Sequence, residues 1–361
     1  MNTLAATLQP FVDKNYIAGA VALAATKDRV LACEAVGYAD LAAKKPMTPD
    51  SMVWIASQTK PMTATALMML VDEGKVSIDD PVEKHLPEFR NQKVIAYKDD
   101  DVTVLKKPQH PITVREVLNH TSGLNFSSPI ESPTLDRLTL RDSVRSHAML
   151  PLESEPGTKY NYSNGGTNTA GRIIEVVSGQ AYEDFMDERL FHPLGMRDTT
   201  FWPNEEQLAR VAKCYGTNLE KSALVESRIT QLAQPYSDRT RKPMPAGGLF
   251  ASAGDCAKFM QMILNGGVAG GRRYVSESAI AEMTRKQTAD IVPNEYGLGW
   301  GTKEGAEGRY GHNGACKTFM RIDSKTGLIT VFLIQHNGDW PNEEAGAIGT
   351  VFEETAAKLL G

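Results

Sequence analysis

Apolar residues recur at helical spacing through Leu4, Leu8, Phe11 and Val12 and predict a helix over 4–15. Gly19 then opens a run rich in Val and Ala. Residues 20–26, a turn at Lys27-Asp28 and residues 29–37 predict an antiparallel hairpin. Near the other end, 296–300, 310–322 and 328–335 read as three more strands, the last two joined by the turn Asp323-Ser324-Lys325-Thr326-Gly327, and 343–360 as a closing helix. The middle of the chain reads as helix and loop. Thr113-Val114-Arg115-Glu116 is a capping box for a short helix that stops at His120-Thr121-Ser122-Gly123, and 165–178 and 254–265 are helical with glycine just past their ends. Residues 91–110, with the run Lys98-Asp99-Asp100-Asp101, read as a surface insertion, and 208–241 show no clear periodicity.

Strands at both ends and helices between them predict an α+β fold. One antiparallel sheet flanked by helices would form from 1–75 and 245–361, with an inserted, mainly helical lobe over 76–244. A chain of 361 residues exceeds what one hydrophobic core usually holds, so two lobes with a cleft between them are expected.

Scanning every serine for a lysine three residues on finds one S-x-x-K, Ser57-Gln58-Thr59-Lys60, at the head of the apolar run Met62, Ala66, Leu67, Met69 and Leu70. Residues three apart share a helix face, so the Lys60 amine can approach the Ser57 hydroxyl. Pro61 is tolerated only in a first turn and places the helix start at Ser57, where unpaired N–H groups favour developing negative charge. Alone, the motif is equally a helix cap beside a solvated lysine. Tyr162-Ser163-Asn164, between Gly157 and Gly165-Gly166, lies on a tight loop before a helix. A phenol can share a proton with a lysine, and an Asn amide can bond both a lysine and a substrate carbonyl. Alone, this is ordinary turn chemistry.

Two segments compete as the third piece. Lys325-Thr326-Gly327 matches a K-T-G signature but falls in a predicted turn, where lysine and glycine are expected anyway. His312-Asn313-Gly314 lies on a strand that can run beside the serine, and the strand continuing from Gly314 would offer the Ala315 N–H to an oxyanion. His312-Asn313-Gly314 is therefore preferred. A buried, satisfied strand histidine is the bland alternative for His312. Serine-lysine, tyrosine-asparagine and glycine strand, in that order, fit a helix start, a loop and a late strand meeting in one cleft.

These three motifs, with Leu118-Asn119-His120-Thr121-Ser122-Gly123-Leu124, Pro193-Leu194-Gly195-Met196 and Ala246-Gly247-Gly248-Leu249, resemble the serine β-lactamase-like hydrolases: class C β-lactamases, DD-peptidases and carboxylesterases of the β-lactamase/transpeptidase-like fold. The resemblance covers nearly the whole chain. It implies Ser57 as the acylated nucleophile, Lys60 and Tyr162 as its proton partners, and Asn164 near Lys60 and the substrate. The N–H groups of Ser57 and Ala315 would form the oxyanion hole, with no cofactor and no metal. His312, Asn313 and Gly314 would line the substrate. Trp300 would line the acyl pocket or, equally, the core. The chain departs from the family where a lysine usually stands and His312 is found, so an ester or small amide is expected over an anionic β-lactam. The alternative is a penicillin-binding receptor or scaffold, acylated without turnover.

The resemblance implies a small-molecule ester, amide or β-lactam as partner, and composition argues against others. With 41% hydrophobic and 23% charged residues the chain is of ordinary globular type, and a net charge of -5 leaves no basic surface for nucleic acid. No stretch approaches the roughly 18 apolar residues of a membrane span, and the first residues lack a leader pattern, so no membrane partner and a cytoplasmic location are expected. Cys33, Cys214, Cys256 and Cys316 have no metal-ligand spacing and read as free thiols. Cys316 lies next to Ala315, but nothing beside it in sequence supplies a base for thiol catalysis. No G-x-S-x-G elbow, H-E-x-x-H or phosphate-binding loop occurs.

Overall fold

The computed structural model describes residues 3–288, 291, 295–302 and 308–361. Met1 and Asn2, with which the leader reading begins, lie outside the described residues. Six strands form the main sheet: β1 (Gly19–Ala25), β2 (Val30–Asp40), β3 (Lys45–Pro46), β4 (Arg309–Asn313), β5 (Phe319–Asp323) and β6 (Leu328–Ile334). Their spatial order is β4-β5-β6-β1-β2-β3, every pair antiparallel, so the two ends of the chain meet where β1 pairs with β6 (Ala20↔Ile334 to Ala25↔Ile329).

β1 and β6 are buried along their whole length because both sheet faces are covered. Ala20, Ala22 and Ala24 face α1 (Leu4–Asp13) and α6 (Ile348–Ala357), packing with Leu4, Leu8, Phe332 and Phe352. Val21, Leu23 and Ala25 point the other way, toward the Phe259, Met260 and Ile263 side of α5 (Ala253–Leu264). Alternate side chains on opposite faces are what the strand period of two demands.

Behind α5 lies α2 (Thr59–Asp72), buried from Thr59 through Leu70. Burial on all sides is why this helix carries apolar or small residues around its whole circumference. The core runs without a break from Leu333 and Met260 through Met62, Leu67 and Leu70 to Leu118 on α3 (Val114–Leu118) and Ile173 on α4 (Asn164–Ser178). The capping box is formed: Thr113 and Glu116 cap α3 reciprocally. α4 ends at Gly179 in the left-handed region at φ 74°.

Four sequence expectations need correction. The run 310–322 is two strands, not one, because Gly314 and the left-handed Lys317 (φ 66°) turn the chain between β4 and β5. Residues 296–300 form a loop with a bridge from Tyr296 to Gly301, turned by Gly299 at φ 74°. The closing helix is split into Glu343–Gly346, α6 and a last turn Lys358–Leu360. The middle of the chain also contains strands. Met52–Trp54 pairs with Phe250–Ser252, Val94–Lys98 with Thr103–Lys106, and Cys214–Thr217 with Leu224–Ser227.

The surface insertion is the second of these hairpins, exposed along Thr103–Lys106. The segment 208–241 contains the third hairpin, and polar groups hold its far end. Arg241 Nε bonds Asp136 Oδ2 at 2.7 Å and the next residue, Lys242, reaches Glu131 Oε1 at 2.9 Å, all four side chains essentially buried. Burial alone would raise the Glu131 carboxyl, but the bond from His147 and the charge of Lys242 outweigh it and hold Glu131 well below the usual range.

Candidate active site

The chain leaves the strand Met52–Trp54 and enters a single 3-10 turn, Ala56–Gln58, before α2 begins at Thr59. The helix start expected at Ser57 is therefore a tight turn that feeds the helix. Ala56 has φ 48°, a conformation L-residues seldom adopt, and it turns the chain so that Ser57 is half-buried while its neighbours are fully buried. The turn is fastened on both sides. Ile55 N–H donates to Leu249 O at 3.0 Å, Trp54 Nε1–H to Gly247 O at 2.6 Å, and Gln58 Nε2–H to Thr318 Oγ1 at 2.9 Å.

One helical turn on, Lys60 is fully buried. Its Nζ lies 3.2 Å from Ser57 Oγ, 2.8 Å from Asn164 Oδ1 and 2.6 Å from Ala246 O. These partners are a hydroxyl, an amide oxygen and a carbonyl, none of them an acid. Desolvation accordingly holds the amine well below an ordinary lysine. A neutral amine has two N–H donors and one lone pair. In that form the two donors suit Asn164 Oδ1 and Ala246 O, and the lone pair remains for the Ser57 side.

Tyr162 covers this amine, with Lys60 Nζ 4.6 Å from its ring centroid. Both sequence neighbours of Tyr162 are tied to His120: Asn161 N–H donates to His120 O at 2.8 Å and Ser163 N–H to His120 Nδ1 at 3.2 Å. The His120 ring packs on Tyr162 at 4.5 Å between centroids. Ser163 then caps α4, accepting from Gly166 N–H, which sets Asn164 as the first residue of the helix that faces Lys60.

On the third side, β4 delivers His312-Asn313-Gly314. Gly314 is required by space, since a Cβ there would meet Ile55 O at 2.7 Å and Thr318 Cγ2 at 2.5 Å. The strand end is thereby pressed against the backbone just before Ser57. Ala315 follows in the turn, exposed, and not on a continuing strand as expected. Gly314 N–H closes that turn on Thr318 O at 2.6 Å.

His312 is buried, with Nδ1 2.7 Å from its neighbour's carbonyl, Asn313 O, and Nε2 2.8 Å from the Tyr296 hydroxyl. Burial pushes its pKa down to about 3, so the ring is neutral at pH 7. The carbonyl can only accept, which places the proton on Nδ1 and makes Nε2 the acceptor of the Tyr296 O–H. Asn313 turns outward, its Oδ1 accepting from Arg321 Nη2 at 2.9 Å.

Two further residues are resolved by position. Trp300 does not open into the cleft: it is wholly buried, stacked on Phe259 at 5.9 Å and edge-on to Tyr310 at 5.7 Å. Lys325 lies in the turn between β5 and β6, where its N–H and that of Thr326 donate to Asp323 Oδ1. Asp323 pairs with Arg309 at the far end of β4, four residues from Asn313 and so about 13 Å along the strand.

The residues that sequence reasoning passed over are His120 as the clamp on the tyrosine loop, the Ala246 carbonyl, Tyr296 and the Gln58–Thr318 tie. A main-chain carbonyl has no side-chain signature. His120 and Tyr296 were visible only as members of local stretches quoted for other reasons.

A serine and lysine one turn apart at a helix entry, a tyrosine-asparagine loop above them and a glycine-ended strand alongside, on an antiparallel sheet with helices on both faces, define a β-lactamase/transpeptidase-like fold. The β-lactamase family model matches residues 4–349, and the chain belongs to that family. It is 28% identical over 377 residues to Protein Rv1367c of Mycobacterium tuberculosis, covering 95% of this chain and 92% of that protein. It is likewise 28% identical over 329 residues to the esterase EstB of Burkholderia gladioli, covering 83% and 78% of the two. Among solved structures it resembles EstCE1, described as a hydrolase with promiscuous acyltransferase activity, with TM-score 0.80, 23% identity and coverage of 98% and 97%; at that identity the likeness concerns the fold. Among the described residues no helix is long and apolar enough to cross a membrane.

Proposed function

We propose that this chain is a serine hydrolase that acylates Ser57 with small esters or amides and releases the acyl group to water. The observation that carries the reading is the desolvated Lys60 amine 3.2 Å from the Ser57 hydroxyl. In the acylation step Ser57 Oγ bonds to the substrate carbonyl carbon while its proton passes to Lys60 Nζ. The oxyanion is received by the N–H groups of Ser57 and Ala315, and the loss of one such donor typically costs about 10²–10³ in rate. As the C–O or C–N bond breaks, the proton returns to the leaving group through Lys60 and Tyr162. Water then attacks the acyl carbon with the same groups acting as base, and Ser57 recovers its proton. Asn164 orients the amine and the substrate carbonyl.

The neutral His312 supports a preference for uncharged acyl donors. A strand lysine would offer a carboxylate a full positive charge at that place, whereas an imidazole held near pKa 3 offers none at pH 7. The resemblance in sequence to an esterase points the same way.

The test is turnover of p-nitrophenyl butyrate beside a chromogenic cephalosporin, with the mass of the intact protein followed during reaction. Many turnovers of the ester, an acyl adduct on Ser57 and their loss in a folded Ser57→Ala variant are expected. A single stoichiometric burst without turnover would make the protein an acylated receptor, and ester turnover by Ser57→Ala would remove Ser57 from the reaction.

A further inference from the structure

Cys214 and Cys316 are 102 residues apart in sequence, yet their Sγ atoms lie 3.9 Å apart in the folded chain. Both are buried, Cys214 at the start of the strand Cys214–Thr217 and Cys316 in the turn between β4 and β5. The backbone already couples these places. His336 N–H donates to Cys316 O at 3.2 Å, and the strand His336–Asn337 runs parallel to Cys214–Thr217 with His336 opposite Tyr215. Neighbouring thiols on two elements bonded to a common strand need close only about 2 Å to reach the S–S bond length.

Access comes from the Cys214 side. That residue lines a cavity of about 480 Å³ between Lys213, Ser227, Gln234 and Tyr236, large enough for a small oxidant. Cys316 is buried, does not line that cavity, and has its sulfur against that of Cys214.

We infer that Cys214 and Cys316 form an oxidisable pair, which a peroxide converts to a disulfide, and that the bond displaces the turn carrying Ala315 and so slows acyl transfer at Ser57. In the first step Cys214 sulfur attacks hydrogen peroxide: an S–O bond forms, the O–O bond breaks, and the departing hydroxide leaves as water with the thiol proton. Cys316 sulfur then attacks the sulfenic sulfur, the S–S bond forms, the S–O bond breaks, and the second water carries away the proton of Cys316. Two electrons pass from the thiols to the peroxide, and a dithiol reverses the change. The polarity agrees with the local chemistry. The mutual S–H···S contact lets one thiol of the pair ionise at the expense of the other, and Cys214, which lines the cavity, is the one placed to meet the peroxide first.

The consequence for activity rests on the reading of Ala315 as an oxyanion donor, whereas the bond itself does not. Ala315 precedes Cys316 directly, and Gln58 is tied to Thr318 two residues beyond it. A sulfur drawn toward Cys214 therefore pulls on the segment that faces Ser57 from both ends of the turn.

The experiment treats the whole protein with hydrogen peroxide, maps disulfides by mass spectrometry of unreduced peptides and measures p-nitrophenyl butyrate turnover before and after dithiothreitol. The expected result is a Cys214–Cys316 disulfide with a fall in kcat of about 10–10²-fold, recovered on reduction and absent in Cys214→Ser. Absence of that linkage in protein whose half-buried Cys33 is demonstrably oxidised overturns the pairing. A linkage that forms while kcat is unchanged overturns the coupling to the oxyanion turn. If the reduced protein turns over no ester, the proposed function fails, and the peptide map still decides the thiol pair.

Discussion

The Lys60 amine stands 3.2 Å from the Ser57 hydroxyl and gives its other near contacts to Asn164 Oδ1 and Ala246 O, two groups that can only accept. An ammonium would find three acceptors there but no countercharge among them, and burial disfavours it. The site therefore favours the neutral amine over the ammonium. Replacing Lys60 by Arg keeps a cation that cannot deprotonate near neutral pH. Lys60→Arg should lower kcat for an ester by about 10³-fold, in keeping with loss of a positioned base. In the unsubstituted protein the acid limb of kcat/KM should lie well below an ordinary lysine pKa, since activity is lost as pH falls through the folded value. A limb near pH 10, or an active Lys60→Arg, would contradict a neutral Lys60.

His312 and Lys325 make opposite forecasts. His312 is hydrogen-bonded to Tyr296 beside Lys60, whereas Lys325 occupies a hairpin turn about 13 Å along the strand from Asn313. Lys325→Ala should leave ester turnover within about twofold, because surface substitutions away from special features are nearly neutral. His312→Ala should lower kcat/KM by about tenfold or more through loss of the Tyr296 contact and the space left at the strand end, an effect of about 1.4 kcal/mol at tenfold. Paired kinetic assays of the two variants decide it, and the reverse ranking would place the third motif at Lys325.

Two buried imidazoles link stability to pH. Burial pushes His312 down to about 3 and His120 well below its ordinary value, and a Lys60 that takes up a proton at low pH adds its charge to both shifts. Unfolded histidine titrates near 6.5, so as pH falls below that value the unfolded chain binds protons that the folded one refuses. The stabilisation is complete above about pH 6.5 and is lost on going down toward the folded values, at about 1.4 kcal/mol per pH unit for each imidazole. Urea denaturation at steps from pH 7 to pH 5 should show this decline, and His312→Asn should remove one imidazole's share of the slope. A flat profile would mean that His312 is protonated in the folded protein.

Much of the site was legible because its chemistry is local. Ser57 in the 3-10 turn and Lys60 in the first turn of α2 are brought together by their spacing of three residues, and Ser163 and Thr113 cap the helices their positions advertise. Gly314 follows from a glycine between apolar strands, though its exact reason, the approach to Ile55 O, is a distance between segments remote in the chain. The misreadings have the same origin. The run 310–322 is apolar enough to pass for one strand, and only the left-handed Lys317 breaks it. From sequence alone Trp300 is open between pocket wall and core, and its packing against Phe259 and Tyr310 puts it in the core.

Taken alone, the amino-acid order determined whatever depends on neighbours within a few residues: helix starts, turns, the serine-lysine spacing and the alternation that lays β1 and β6 face to face with helices. Tertiary structure decided everything set by environment. A lysine holds its proton less tightly because water is excluded around it, a histidine stays neutral because a tyrosine and a buried strand enclose it, and two thiols 102 residues apart become neighbours because two distant segments share a strand. Solvation and distance across the fold are properties of the packed molecule, and no window of sequence contains them.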